Sequence, residues 1–158
     1  TTRMAIGGAS AGANLALAAA LSLPRDSFRA VLLYYGVYGN NTDRPSYDEF
    51  ANGPVITKAG VEQVFEMYDP GGTHRNDPRL APLLGDLQKL PPVLNVAAEY
   101  DVLTSENNAL VEALTAAGVE TLAWTEPGTV HGFINRGRLV PAADECLLRS
   151  AAFLRARL

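Results

Sequence analysis

Ser10 is flanked by glycines at the point where an apolar segment changes into an alanine-rich one. Gly8 and Gly12 lie two residues to either side of it, and residues 14–21 follow as NLALAAAL. Two interpretations fit: a plain glycine turn between a strand and a helix, or a sharp turn that lifts a nucleophilic serine above a sheet. In the second, Gly8 and Gly12 remove side chains that would collide at the turn. The helix then directs its N-terminal N–H groups at the site, with the N–H of Ala11 as the natural oxyanion donor.

The rest of the chain alternates between strand-like and helix-like segments. Short continuous apolar runs indicate strands that are covered on both faces, as in parallel sheets. The predicted strands are residues 4–6, 30–35 and 93–98, with a weaker one over residues 119–125 near the sheet edge. The predicted helices are residues 11–21, residues 107–117 and one from about Pro141, whose buried stripe is Leu147, Ala151, Leu154 and Leu158. This alternation is typical of an α/β fold with a mostly parallel sheet flanked by helices.

A proline-rich segment, from about residue 37 to residue 90, interrupts the alternation. Seven of the ten prolines lie from Gly36 to Pro92, and so long a stretch is uncommon as a simple connection. It contains one short amphipathic helix with a stripe of Val61, Val64, Phe65 and Tyr68. We therefore expect an insertion that packs on the main body. Phe65, Met67 and Tyr68 either line an apolar pocket or form the insertion's own core, and the second interpretation is favoured.

The composition of the 158 residues indicates one globular domain that spans residues 1–158. Apolar residues make up 47%, charged residues 19%, and the net charge is −4, so no basic surface for nucleic acid is predicted. No apolar run reaches the roughly 18 residues of a membrane-spanning helix. Arg3 followed by the apolar residues 11–21 superficially resembles a signal peptide, but Ser10 and Asn14 interrupt that pattern. The chain does not start at a methionine, which indicates a piece of something longer or a processed product, and we expect a cytoplasmic location.

Cys146 is the only cysteine. A disulfide within the chain and a cysteine-based zinc site are therefore excluded, and a buried structural thiol is expected. We predict no metal and no cofactor.

A serine nucleophile needs a base, and the chain has only two histidines. His74 lies in a polar stretch typical of a solvated loop. His131 follows the last predicted strand, between glycines at 128 and 132 that permit a tight loop. For the acid that orients the base, Asp101 is favoured because it follows a buried strand, and such strand ends carry the sites of α/β sheets. Glu99 is its competitor, and an ordinary surface role for Asp101 stays open.

Ser10, Asp101 and His131 occur in the chain order of α/β-hydrolases, and four motifs carry a closer resemblance. Together they span essentially the whole chain, which resembles the C-terminal portion of the hormone-sensitive-lipase-like esterase and lipase family of the α/β-hydrolase fold. The motifs are GASAG at residues 8–12, DPRLAPL at 77–83, AEYDVL at 98–103 and HGF at 131–133. Ala9 departs from the aspartate that many members carry.

The resemblance implies a carboxylic ester hydrolase with a Ser10–His131–Asp101 triad, a small-molecule ester substrate, no cofactor, and a helical cap formed partly by residues 37–90. Short to medium acyl chains are implied as well. A non-catalytic binding or receptor protein and a serine peptidase of the same fold are the alternatives. For partners, a homo-oligomer and a complementary N-terminal fragment both stay open.

One family motif is not found. The family's His-Gly-Gly-Gly run, which supplies further oxyanion donors, does not occur in these 158 residues. The resemblance also places the first strand in mid-sheet beside a preceding strand, so we expect an open sheet edge here. The isolated chain is therefore expected to be inactive or weakly active.

Overall fold

All neighbouring strands of the sheet run parallel. The computed structural model describes residues 3–158, and within this range the sheet has four strands in the order β1-β2-β3-β4. The strands are β1 (Ala5–Ala9), β2 (Ala30–Tyr34), β3 (Val93–Tyr100) and β4 (Thr121–Val130). Because each strand is followed by a crossover to the next parallel strand, all four carboxyl ends lie at the same edge of the sheet. The predicted α/β fold with a parallel sheet flanked by helices is confirmed.

Five α-helices connect or follow the strands within residues 3–158. They are α1 (Ala11–Ser22), α2 (Pro45–Glu49), α3 (Lys58–Tyr68), α4 (Thr104–Ala116) and α5 (Pro141–Arg155). Proline at the first position favours the start of α5, and the Thr57 hydroxyl caps α3 by accepting from Gly60 N at 3.0 Å. Gly118, with a φ of 71°, follows the end of α4 as predicted. No helix in the described range is long and apolar enough to cross a membrane.

Alternate side chains of the two central strands reach opposite faces of the sheet. Val31 and Leu33 join a core with α1 and α4, whereas Ala30 and Leu32 join a second core with α5. Because both faces of β2 and β3 are covered, these strands read as continuous apolar runs. The thiol of Cys146 lies in the second core, as expected, and burial raises its pKa to about 11.

Three of the predicted boundaries are corrected. β1 does not end at residue 6 but continues through Gly7 to Ala9, because its pairing with β2 extends to Tyr34. A Cβ at Gly7 would lie 2.7 Å from the Leu32 carbonyl oxygen, so a glycine suits this close approach. α4 starts at Thr104 rather than residue 107, and β4 extends to Val130. β1 is an edge strand of the described sheet, and Met4 just before it is 49% exposed.

The predicted buried stripe of α5 is wrong for Leu147, which is 45% exposed, whereas Leu154 is partly buried against the second core. The residues of α5 that are buried are Ala143, Cys146, Ser150 and Phe153. Both sets have helical spacing, and they differ by a rotation of about one residue. The Ser150 hydroxyl donates to the Cys146 carbonyl at 2.8 Å, so a polar residue is satisfied inside the apolar face.

The segment between β2 and β3 folds into several short helices rather than one. It holds α2, α3 and three single-turn 3₁₀ helices, Pro70–Gly72, Pro82–Leu84 and Leu87–Lys89. We call residues 37–90 the insertion. That these residues form a cap over a site stays a prediction. Its predicted helix is present as α3, but Val64 and Tyr68 are 58% and 63% exposed, so half of the predicted stripe is not buried.

Candidate active site

Ser10 occupies a strained turn between β1 and α1. Its φ of 56° and ψ of −124° are unusual for a residue with a side chain, a strain that costs on the order of 1–3 kcal/mol. Hydrogen bonds on both sides hold the turn: Ser10 N donates to Tyr34 O at 2.9 Å, and Ser10 O accepts from Ala13 N at 3.0 Å. The local sequence thus folds into the sharp strand-to-helix turn that the flanking glycines indicate.

The two glycines around Ser10 are not equivalent. A Cβ at Gly8 would lie 2.3 Å from the backbone carbon and oxygen of Gly12. This distance is too short for any side chain at position 8. A Cβ at Gly12 would meet nothing within 4 Å. The steric argument therefore holds for Gly8 and is wrong for Gly12, because the crowding at this turn is on one side only.

The N-terminus of α1 leaves backbone donors beside Ser10. The N–H of Ala11 has no acceptor among residues 3–158, as is usual for the first residue of a helix. It is the group that the sequence predicts as the oxyanion donor, and the positive end of the helix dipole lies at the same point.

His131 follows the last residue of β4 in a tight loop. Gly128 and Gly132 have φ values of 69° and 80°, so each supplies a left-handed conformation that favours glycine. The Thr129 hydroxyl donates to Glu126 O at 2.7 Å and holds the irregular end of β4, just before His131. The imidazole is consequently held at the carboxyl edge of the sheet with only 9% of the residue exposed.

The structure brings Ser10, Asp101 and His131 together, although they are far apart in the chain. His131 Nδ1 lies 2.7 Å from Asp101 Oδ2, and His131 Nε2 lies 2.8 Å from Ser10 Oγ. Asp101 is 2% exposed, and its other oxygen accepts from Leu103 N at 3.0 Å. A carboxylate beside Nδ1 favours the tautomer that carries its proton there, which leaves Nε2 to accept the proton of the Ser10 hydroxyl.

The rival residues of the sequence analysis lie elsewhere. Glu99 Oε2 accepts a hydrogen bond from Gly128 N at 2.6 Å, so this carboxylate holds the loop before His131 rather than the imidazole. His74 is exposed in the insertion, as expected of a loop residue, and its N–H donates to Asp69. The catalytic roles of Ser10, Asp101 and His131 stay predictions.

An apolar cavity of about 480 Å³ opens beside Ser10 and Ala11. Its walls come mainly from the insertion, and the lining includes Leu15, Val55, Ile56, Val61, Val64, Phe65, Tyr68, Leu80 and Leu103. The favoured expectation, that Phe65, Met67 and Tyr68 form the insertion's core, is right only for Phe65, which is buried and also touches the cavity. Tyr68 lines the cavity, and Met67 is 74% exposed and does neither.

Three buried residues around the site were not predicted from the sequence. Asn14, on α1, donates from its side chain to the carbonyls of Val37 and Leu80, at 2.8 Å each, and so ties two parts of the insertion to the helix after Ser10. Tyr35, just past β2, packs against His131 with ring centroids 4.9 Å apart, and burial raises its pKa to about 12. Asparagine in an alanine-rich helix was the one available signal; nothing in the sequence distinguished Tyr35.

Glu106 is the third. It is fully buried on α4, where it accepts the N–H groups of Tyr38 and Gly39 and the Tyr47 hydroxyl, the last at 2.8 Å. Burial raises the pKa of Glu106 above its ordinary value of 4.5, although these donors oppose the shift. The residue joins the helix after Asp101 to the beginning of the insertion.

A parallel α/β sheet with a serine at a strand-to-helix turn, followed by an aspartate and a histidine at later strand ends, defines the α/β-hydrolase class. Comparison with known families agrees, since a family model described as an alpha/beta hydrolase fold matches residues 1–135. The chain belongs to this family, in its hormone-sensitive-lipase-like branch.

Its relatives include proteins named as a carboxylesterase and an ethyl acetate hydrolase. The carboxylesterase NlhH of Mycobacterium tuberculosis is 35% identical over an alignment 162 residues long, gaps included, which covers 98% of this chain and 50% of that protein. The ethyl acetate hydrolase of Pseudomonas putida is 32% identical over 151 residues, which cover 92% and 48%. Among solved structures, a thermostable esterase from Pseudomonas putida matches with a TM-score of 0.90 and 29% identity, covering 99% of this chain and 51% of that one. The chain thus spans about half the length of the relatives it matches.

Proposed function

We propose that the chain carries the nucleophile, base and acid of a carboxylic ester hydrolase that works through an acyl-serine intermediate. The observation that carries the proposal is the continuous hydrogen-bonded path from Asp101 through His131 to Ser10, with distances of 2.7 and 2.8 Å. The names of two relatives of the chain, a carboxylesterase and an ethyl acetate hydrolase, support the same reaction class.

The proposed reaction has two halves. His131 Nε2 takes the proton of Ser10 Oγ as the oxygen attacks the ester carbonyl carbon, and Asp101 stabilises the imidazolium. The N–H of Ala11 donates to the oxyanion. The carbon–oxygen bond to the alcohol then breaks, and the alcohol leaves with the proton from His131. Water attacks the acyl-serine with His131 again as base, which releases the acid and restores the Ser10 hydroxyl.

The proposed substrate is a small-molecule ester with an uncharged, apolar group. The cavity beside Ser10 supports this choice, because aliphatic and aromatic side chains form most of its wall. For the acyl group, we propose short to medium length. A series of p-nitrophenyl esters of increasing chain length tests the proposal, and a preference for long chains would contradict it.

A fluorophosphonate probe tests the mechanism. We expect it to label Ser10 in the longest natural polypeptide that contains this chain, and to label nothing after Ser10→Ala. Ser22→Ala is the matched control, since Ser22 ends the helix that begins after Ser10, and its hydroxyl donates to Ala18 O. Labelling at another residue would overturn the role proposed for Ser10. Absence of labelling would overturn the proposal in favour of a binding protein. Amide turnover in place of ester turnover would indicate a peptidase.

The activity of the 158 residues alone is a separate question. With Ala11 N–H as the one oxyanion donor proposed, we expect turnover of p-nitrophenyl acetate to be reduced on the order of 10³-fold relative to a longer protein with further donors. The blank is Ser10→Ala. Equal Ser10-dependent turnover by both proteins would contradict this expectation.

A further inference from the structure

Tyr35 lies against the imidazole that the proposed mechanism uses as its base. The two ring centroids are 4.9 Å apart, at an interplanar angle of 60°, and the Phe133 ring also packs on Tyr35, with centroids 5.5 Å apart. Asp101 and Ser10 occupy both nitrogens of His131. Hydrogen bonds alone leave the ring free to tilt about the line between its partners, and the tyrosine ring packs where it can oppose that movement.

The backbone of Tyr35 is held in an unusual conformation. Its φ of 39° lies in the left-handed region, which a bulky aromatic residue seldom adopts. A hydrogen bond from Tyr35 N to Val96 O, at 2.6 Å, fixes the backbone against the neighbouring strand. Such conformations persist where the surroundings over-determine them, and they cluster at functional sites.

The hydroxyl of Tyr35 is weakly held. This oxygen is buried and makes no hydrogen bond of ordinary geometry within residues 3–158, although the neighbouring backbone of Ile134 lowers the pKa that burial raises. The aromatic ring, 1% exposed and in contact with His131 and Phe133, is the part of the side chain that touches the imidazole.

We propose that Tyr35 is a positioning residue for His131: its ring is the wall that keeps the imidazole aligned between Asp101 and Ser10. The proposal rests on the function proposed above. Because Tyr35 does not line the cavity beside Ser10, the wall acts on the chemical step and not on substrate binding. Its removal therefore lowers kcat and leaves KM unchanged.

Three variants separate the ring from the hydroxyl and from general stability. All variants are made in the longest natural polypeptide that contains this chain. Tyr35→Leu removes the ring, and we expect the rate of fluorophosphonate labelling at Ser10 and kcat to fall by on the order of 10²-fold, the usual effect of about 1 Å of misplacement. Tyr35→Phe keeps the ring and is expected to retain the wild-type rate. Phe153→Leu is the matched control, because Phe153 is a buried aromatic of the same core with no ring contact to His131.

A spectroscopic measurement reads the position of His131 without turnover. The proton between His131 Nδ1 and Asp101 gives a strongly deshielded signal in one-dimensional ¹H NMR. We expect this signal in the wild type, Tyr35→Phe and Phe153→Leu, and its loss or broadening in Tyr35→Leu. If Tyr35→Leu does not fold, as judged by circular dichroism, Tyr35→Met fills the site without a ring and takes its place.

The outcomes separate the two proposals. Absence of Ser10 labelling in the wild type overturns the proposed function. Normal wild-type labelling with an unchanged rate and NMR signal in the ring-less variant overturns the role of Tyr35 alone. That role is also overturned if Tyr35→Phe is as slow as Tyr35→Leu, or if KM rises in place of the fall in kcat.

Discussion

Glu106 offers the sharpest test of how the insertion is held to the sheet. Glu106→Leu leaves three buried donors without an acceptor, namely the N–H groups of Tyr38 and Gly39 and the Tyr47 hydroxyl. Each unsatisfied donor costs about 1–3 kcal/mol, so the expected loss is about 3 kcal/mol or more. This is a large part of the roughly 5–15 kcal/mol by which a domain is stable.

Glu106→Gln is the matched variant. Its amide oxygen can accept both backbone N–H groups, and its amide nitrogen can donate to the Tyr47 oxygen, so only the Tyr47 O–H loses its acceptor. We expect its free energy of unfolding at pH 7 to lie between those of Glu106→Leu and the wild type, because one buried donor rather than three loses its acceptor.

The pH dependence of stability follows from the raised pKa of Glu106. Burial raises this pKa above 4.5 in the folded state, against the opposing effects of its hydrogen-bond donors and of Arg44. Folding therefore disfavours the charged carboxylate. The contribution of Glu106 to stability is complete below the unfolded pKa and declines as pH rises through the folded pKa. Each unit of upward shift corresponds to about 1.4 kcal/mol.

Urea unfolding from pH 4 to pH 8 measures this effect. We expect the stability of Glu106→Gln minus that of the wild type to increase as pH rises above 4.5, and to become constant once the folded carboxyl is ionised. Parallel curves for the two proteins, or a wild type that gains stability over the variant with rising pH, would refute the reasoning.

Alanine substitutions at four other positions test neighbouring parts of the site. Gly8→Ala is expected to prevent folding, because its Cβ would lie 2.3 Å from the Gly12 backbone, whereas Gly12→Ala meets open space and should raise stability by up to about 1 kcal/mol in thermal melts; equal melting temperatures would contradict this. Asn14→Ala leaves two carbonyls of the insertion unpaired, and we expect faster proteolysis of residues 37–90 and a loss of about 2 kcal/mol. Thr57→Ala removes the cap of α3 and should cost about 1 kcal/mol, with Thr57→Ser restoring it; no change on losing the hydroxyl would argue against the cap.

The sequence predicted the sheet, and it placed Ser10, Asp101 and His131 at one edge of it, because the signals for the strands and their ends are local. A continuous apolar run marks β3, and the residue at its carboxyl end, Asp101, must lie at the same edge as Ser10 in a parallel sheet. Chain order then connected His131 to both. These inferences need the direction of each strand and not the details of packing.

What the sequence did not reveal depends on contacts between distant segments. Leu147 and Cys146 both belong to apolar stripes of α5, and only packing on the sheet decides which stripe is buried. Glu106 looks like an ordinary exposed helix residue until Tyr47 and the loop after β2 lie against it. The open space at Gly12 likewise arises from the direction in which α1 leaves the turn.

The parallel order of the strands has a consequence for how the protein folds. Ser10 and His131 are 121 residues apart in the chain, and we expect their hydrogen bond to form after the crossovers between the strands have closed. Contacts of such high order are slow to form, since the entropy of long loops is lost before the contact is gained. Helical signal should therefore return early in refolding, and reactivity of Ser10 should return last. The rate at which Ser10 labelling returns therefore measures when the whole sheet is complete.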